Sequence, residues 1–243
     1  MRHFFVTGSS RGIGKALVER FLQEDNSEVY GFSRNQRVEH ERYHHHSADL
    51  SDIDWLSQNV TDFFPELKEA EQIVLINNAG MLGEVKYLGE LENASFARLF
   101  NLNVTAPAML MNQFIRTYRH SSAEKLIINV SSGAGKYPVD GWSGYCASKA
   151  ALDMLSQVAQ TELKEKGLAG HFKVYALAPG VVDTEMQGEI RQVSKDNFSK
   201  LEKFINYKKE GTLDKAQHTA KKFMELINNS GRFEEVLQDV RQY

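Results

Sequence analysis

Six short runs along the chain read as strands: 3–7, 28–33, 43–48, 73–77, 126–131 and 172–178. Several are nearly continuous in apolar residues, such as Ile73-Val74-Leu75-Ile76. That pattern is expected when helices cover both faces of a sheet. Between them, apolar positions recur at helical spacing over 12–25, 52–68, 93–120, 143–166, 188–209 and 212–229. Alternation of this kind predicts the α/β class, a doubly wound (Rossmann-type) parallel sheet flanked by helices. No Pro/Gly/Ser-rich linker divides the chain, so residues 1–243 are expected to form one domain. The interval 185–230 is polar, rich in lysine and without a clear strand. It predicts a helical segment beside the sheet, where a substrate lid would sit.

Composition narrows the partners. The 243 residues are 42% hydrophobic and 25% charged, with a formal charge of −3, so the basic footprint of a nucleic-acid binder is missing. The N-terminal run His3-Phe4-Phe5-Val6 is too short for a signal-peptide core. No apolar stretch approaches the roughly 20 residues of a bilayer span. A cytoplasmic protein without membrane partners is the expectation, and the single cysteine, Cys146, fits a reducing compartment. Its place beside Tyr145 is that of a small helix-packing residue. His44-His45-His46 fall on a strand, where neighbours alternate faces, so no metal is expected there.

Chemistry first enters at Gly8-Ser9-Ser10-Arg11-Gly12-Ile13-Gly14, between the first strand and the first helix. Glycines at such a turn let the backbone approach a pyrophosphate, and the helix N-terminus supplies free N–H groups and a positive dipole end. The second strand then ends in Ser33-Arg34, where binders of the unphosphorylated dinucleotide carry an acid. Arg34 can pair with a 2′-phosphate and Arg11 can reach the same group, so NADP(H) is the expected cofactor.

The richest segment is Ser131-Ser132 followed by Tyr145-x3-Lys149, leading from an apolar run into a long helical pattern. Residues four apart share a helix face, so a phenol and an ammonium would project together near a hydroxyl at the strand end.

In this order, Thr7-Gly8-x3-Gly12-Ile13-Gly14, Asp49-Leu50, Asn77-Asn78-Ala79-Gly80, Asn103, Ser132, Tyr145-x3-Lys149 and Pro179-Gly180-Val181-Val182-Asp183-Thr184 resemble the short-chain dehydrogenase/reductase family over nearly the whole chain. Within it, Asn78-Ala79-Gly80-Met81-Leu82-Gly83, Gly141-Trp142 before Tyr145-Cys146-Ala147, Asp153-Met154-Leu155 and Thr184-Glu185-Met186-Gln187 are similar to sepiapterin reductases and bacterial benzil-type carbonyl reductases. Sepiapterin reductases typically end with an Asp that grips the pterin; here the matching stretch offers Glu235.

The resemblance implies carbonyl reduction. Tyr145 would be the general acid, Lys149 would lower its pKa and bind the nicotinamide ribose, and Ser132 would orient the carbonyl oxygen. Asn103 would kink its helix and anchor a water, with Asn101 facing solvent. Asp49 and Leu50 would meet the adenine, and Asn78-Ala79-Gly80 would pass under the adenosine. Pro179, Gly180, Val182 and Thr184 would close over the nicotinamide. Trp142, Met186 and Gln187 flank the carbonyl site, where Trp142 can stack on an aromatic substrate or simply pack. A homodimer or homotetramer through 93–120 and 143–166 is implied as well. The expected activity is NADPH-dependent reduction of a small ketone or diketone. A 3-oxoacyl thioester reductase and a non-enzymatic NADP(H)-binding redox regulator stand as alternatives.

Overall fold

Phe4 and Val6 point to one side of the first strand and Phe5 to the other, and all three are fully buried. That alternation, with a helical layer on each side, explains why the strand sequence is apolar throughout. The computed structural model describes residues 1–243. Its strands are β1 (Arg2–Thr7), β2 (Ser27–Ser33), β3 (Tyr43–Ser47), β4 (Gln72–Asn77), β5 (Glu124–Val130), β6 (Phe172–Ala178) and β7 (Leu237–Asp239). All pair in parallel, in the order β3-β2-β1-β4-β5-β6-β7. The chain winds outward in both directions from β1. The loops after β1 and β4 therefore part and leave a crevice at the carboxyl ends of the strands.

The helices are α1 (Gly12–Phe21), α2 (Ile53–Asn59), α3 (Asn93–Phe100), α4 (Ala106–Tyr118), α5 (Ser143–Glu165), α6 (Glu185–Ile190), α7 (Leu201–Lys209) and α8 (Ala216–Asn228). α1 and α8 cover one sheet face, where the Phe21 ring stacks on Phe4 at 4.0 Å. On the other face, Leu110 and Phe114 of α4 pack with Phe5, Leu75 and Ile127. α3 runs into α4 through a widened, π-type turn at Asn101–Thr105. Pro107, at the start of α4, removes a backbone donor and crowds the preceding turn, and the wider turn relieves both.

Three expectations are corrected. The pattern over 52–68 stays α-helical only to Asn59, because Phe63 and Phe64 turn into the core and Pro65 disfavours helix at its predecessor. The pattern over 188–209 breaks between α6 and α7, where Phe198 plunges inward to zero exposure. The lid of 185–230 is shorter than expected, since Ala220, Phe223, Met224 and Ile227 of α8 belong to the main core. Of that segment only α6 lines the crevice, and α7 packs behind it with Trp142. No helix is long and apolar enough to cross a membrane.

Candidate active site

The crevice is a cleft of about 690 Å³. Gly8, Ser10, Arg11, Gly12 and Ile13 form its floor, and Asn78, Ala79 and Gly80 form one side. Gly8 and Gly12 have φ of +66° and +53°, the left-handed region that glycine enters freely. α1 begins at Gly12 with no side chain capping its first N–H groups, which face a cleft open to an anion. Gly14 lies behind the floor, where a Cβ would stand 2.2 Å from the Gly8 carbonyl oxygen. Thr7 locks the two sides together. Its Oγ1 accepts from the N–H of Asn78 and of Ala79, each at 2.9 Å, while Asn78 Nδ2 donates to the Thr7 carbonyl at 2.9 Å.

At the end formed by β2 and β3, Arg34 is exposed and lines the cleft with Asp49 and the buried Leu50. Asp49 accepts from Ser51 N–H and hydroxyl, and chiefly this hydroxyl holds its carboxyl below the usual range, with Arg34 and Arg98 adding to the effect. Arg98 escaped the sequence reading. Its signal was the spacing Ala94, Arg98, Leu102, one helical row that lines the cleft wall. Arg11 departs from expectation, because its guanidinium pairs with Glu185 of α6 across the cleft mouth. Arg34 and Arg98 are then the cations left at the far end. The three histidines of β3 take separate partners: Glu28 for His44, the Ser33 carbonyl for His45, and the Phe32 ring for His46.

The closed end of the cleft is built where β5 meets α5. Lys149 Nζ donates to the Val130 carbonyl at 2.8 Å, Ser131 Oγ donates to Asp153, and the Ser132 hydroxyl accepts from Ala134 N–H at 3.2 Å and offsets the burial of the Tyr145 phenol. Consecutive residues thus send their polar atoms to different places, as alternation at a strand end requires. Asn103, fully buried in the widened turn, accepts from Met81 N–H and donates to Met81 C=O, both at 2.9 Å, and donates to Ser148 at 3.1 Å. This holds the loop after β4 beside Lys149, since a Cβ on Gly80 would stand 3.3 Å from Asn103 Oδ1 and 3.7 Å from Lys149 Nζ. Asn101 does not simply face solvent, since it reaches the Ser51 carbonyl at 3.4 Å. Ser132→Ala is expected to lower turnover about 100-fold, as removal of a donor to a developing oxyanion does. Ser131→Ala should change it less than about threefold, and steady-state kinetics showing the reverse order would refute the assignment.

Burial, not Lys149, governs the phenol. It pushes Tyr145 up to about 12, with the Ser132 hydrogen bond pulling the other way. Lys149, with its Nζ on the Val130 carbonyl, stands 5.6 Å from the Tyr145 ring centre and does not offset that burial. Burial also brings Lys149 down to about 8, opposed by the Asp153 charge.

Pro179, Thr184 and Met186 line the cleft on the α6 side. Gly180, with φ of +76°, and Val182, bridged to Asp214, brace that segment from behind. Trp142 takes the packing role. Its indole stacks on Phe198 at 5.3 Å, meets Tyr145 edge-on at 5.7 Å and is 7% exposed, so no free face awaits a substrate. Gln187 is likewise buried, with Nε2 donating to the Phe204 carbonyl at 3.4 Å, rather than facing the cleft. Glu235 is exposed ahead of β7 and is not part of the cleft lining. Asp140 joins the loop after β4 to the connection between α6 and α7, accepting from the Tyr87 hydroxyl at 3.2 Å and the Ser199 N–H at 2.7 Å.

A glycine-lined cleft over a doubly wound sheet, ending at a buried phenol and ammonium, defines a dinucleotide-dependent oxidoreductase. The family described as short chain dehydrogenase matches residues 2–195. A benzil reductase ((S)-benzoin forming) of Bacillus cereus is 37% identical over 237 residues, covering 93% of this chain and 94% of that protein. A sepiapterin reductase of Mus musculus is 30% identical over 243 residues, covering 91% and 90%. The solved structure of a short-chain dehydrogenase/reductase from Saccharomyces cerevisiae superposes with a TM-score of 0.83 at 25% identity, covering 99% of this chain and 96% of that one. The chain belongs to the short-chain dehydrogenase/reductase family.

Proposed function

We propose that the protein is an NADPH-dependent reductase of ketones and diketones, with Tyr145 as its general acid. The observation that carries the reading is the protonated Tyr145 phenol, which lines the cleft beside Lys149. Relatives named for benzil and sepiapterin support the substrate class. The exposed Arg34, with Arg98 beside Asp49 and no acid at the end of β2, supports the phosphorylated cofactor.

The cleft fits a dinucleotide. Gly8, Gly12 and the start of α1 would take the pyrophosphate, Arg34 the 2′-phosphate, and Lys149, Pro179 and Thr184 the nicotinamide end. When bound, the cofactor supplies the hydride. The chain's own residues supply the rest. Ser132 and Tyr145 donate hydrogen bonds to the substrate's carbonyl oxygen and so hold it in place. As negative charge grows on that oxygen, the Tyr145 hydroxyl gives up its proton to it. Lys149 holds positive charge behind the phenol, which favours the phenolate left by that transfer. The burial of Tyr145 and Lys149 keeps bulk water from competing with this transfer. A homodimer or homotetramer through α3, α4 and α5 belongs to the same reading, supported by Met154 and Val158 standing 59% and 43% exposed on α5.

The test is NADPH oxidation with benzil, isatin, sepiapterin and an acetoacetyl thioester. Turnover of the diketones is expected. Thioester turnover alone would favour lipid synthesis, and tight NADPH binding without any turnover a redox regulator. Arg34→Ala should weaken NADPH about 10-fold or more while leaving NADH nearly unchanged. Equal use of both cofactors by the unmutated protein would sink the NADPH assignment.

A further inference from the structure

We infer that Asp153 is a positioning residue of the active site, a carboxylate that sets the charge on Lys149 and anchors the end of β5. The inference rests on the reductase reading, which gives Tyr145 and Lys149 their work but leaves Asp153 none.

Tyr145, Lys149 and Asp153 follow one another at four-residue spacing along one row of α5. Three consecutive residues at the end of β5 meet them: Val130 accepts from Lys149, Ser131 donates to Asp153, and the Ser132 hydroxyl offsets the burial of Tyr145. Ser131 and Asp153 form the inner rung of this ladder, 4% and 6% exposed. The loop after β5 presses on the same carboxylate, since a Cβ on Gly135 would stand 3.0 Å from Asp153 Oδ2. A carboxylate in such a place is costly unless its charge is used.

The groups facing it are few. α5 contributes Lys149, the loop after β5 contributes Lys136, and β5 contributes the neutral Ser131. Around Lys149 the facing groups are Tyr145 and Asp153 from α5, the Val130 carbonyl from β5, and the neutral Asn103 beyond Gly80. Lys149 Nζ bonds the Val130 carbonyl and makes no ion pair with Asp153, so Asp153 acts on it through space. Burial raises the Asp153 carboxyl, while the Ser131 hydroxyl, Lys136 and Lys149 oppose that rise. Asp153 in turn opposes the fall of Lys149. Each charge supports the other, and the carboxylate works against the loss of the Lys149 proton that burial favours.

The test uses two neutral replacements, Asp153→Asn and the smaller Asp153→Ser, so that a folding defect in one leaves the other. In cofactor-free protein labelled with 15N-lysine, the Nζ signal of Lys149 is identified by its loss in Lys149→Met and followed against pH. Its midpoint is expected to fall by about half a pH unit or more in both variants. The basic limb of kcat for benzil reduction should move to lower pH with it, because losing a nearby negative charge favours deprotonation of Lys149 and Tyr145 alike. KM for NADPH should stay within about twofold. A Lys149 midpoint unchanged from the unmutated protein in either folded variant overturns the inference, since a merely structural Asp153 would leave it in place. Absence of carbonyl reduction in the unmutated protein would instead overturn the reductase reading, and the titration would still decide the role of Asp153.

Discussion

Tyr145→Phe is expected to lower kcat for carbonyl reduction by about four orders of magnitude while NADPH binding stays within a few-fold. The substitution removes one oxygen and keeps the ring in its edge-on contact with Trp142. No other group nearby can take over. Lys149 is held by the Val130 carbonyl, and an aliphatic hydroxyl such as Ser132 is a far weaker acid than a phenol. The buried phenol, pushed up to about 12, is fully protonated at neutral pH and is a proton donor only while charge is forming on its partner. Single-turnover measurements with saturating NADPH read the chemical step directly. Retention of more than a tenth of the rate would remove Tyr145 from the mechanism.

Lys149→Met is expected to lower kcat about a thousandfold and yet to stabilise the fold. The ammonium is buried and its pKa falls from 10.5 to about 8 on folding. That difference corresponds to about 3 kcal/mol of stability lost at neutral pH. The sign is that of a group depressed by burial. Below pH 8 both folded and unfolded chains carry the proton, and the full penalty applies. Between 8 and 10.5 only the unfolded chain stays charged, so the penalty fades as pH rises. Methionine avoids the penalty but leaves the buried Val130 carbonyl without its donor, which returns about 1–2 kcal/mol. A net rise in Tm of a few degrees at pH 7 follows, together with loss of the stabilisation that the unmutated protein gains between pH 8 and 10.5. A Tm below that of the unmutated protein at pH 7 would show that the ammonium stabilises the fold.

The catalytic row was legible because a four-residue spacing after an apolar run needs no knowledge of neighbouring elements. The phosphate loop was legible for the same reason, its glycines being dictated by local backbone geometry. β7 was not. Leu237-Gln238-Asp239 is too short to show a period and is a strand only because the free edge of β6 pairs with it, Ala176 N–H reaching the Val236 carbonyl at 2.8 Å. The apolar stripe of α8 was present in the sequence but masked by Lys221 and Lys222 on its other faces. Charge partners were the least legible of all. Arg11 finds Glu185, 174 positions away, and only the approach of α6 to the glycine loop brings them together. The fate of Trp142 likewise depended on Phe198, which no local pattern assigns to the same cluster.

The widened turn at Asn101–Thr105 also solves a problem of rotation. In a regular α-helix, residues four apart drift by about 40° per step, so a stripe soon winds off the face it began on. Ala94, Arg98 and Leu102 follow such a stripe along the cleft, and Ala106, Leu110 and Phe114 continue it onto the sheet. A turn holding more residues than usual unwinds part of the drift midway. One edge of one helix can therefore wall an open cleft in its first half and seal the buried core in its second. The residue placed at the changeover is Asn103, whose side chain ties that edge to the loop lying beside Lys149.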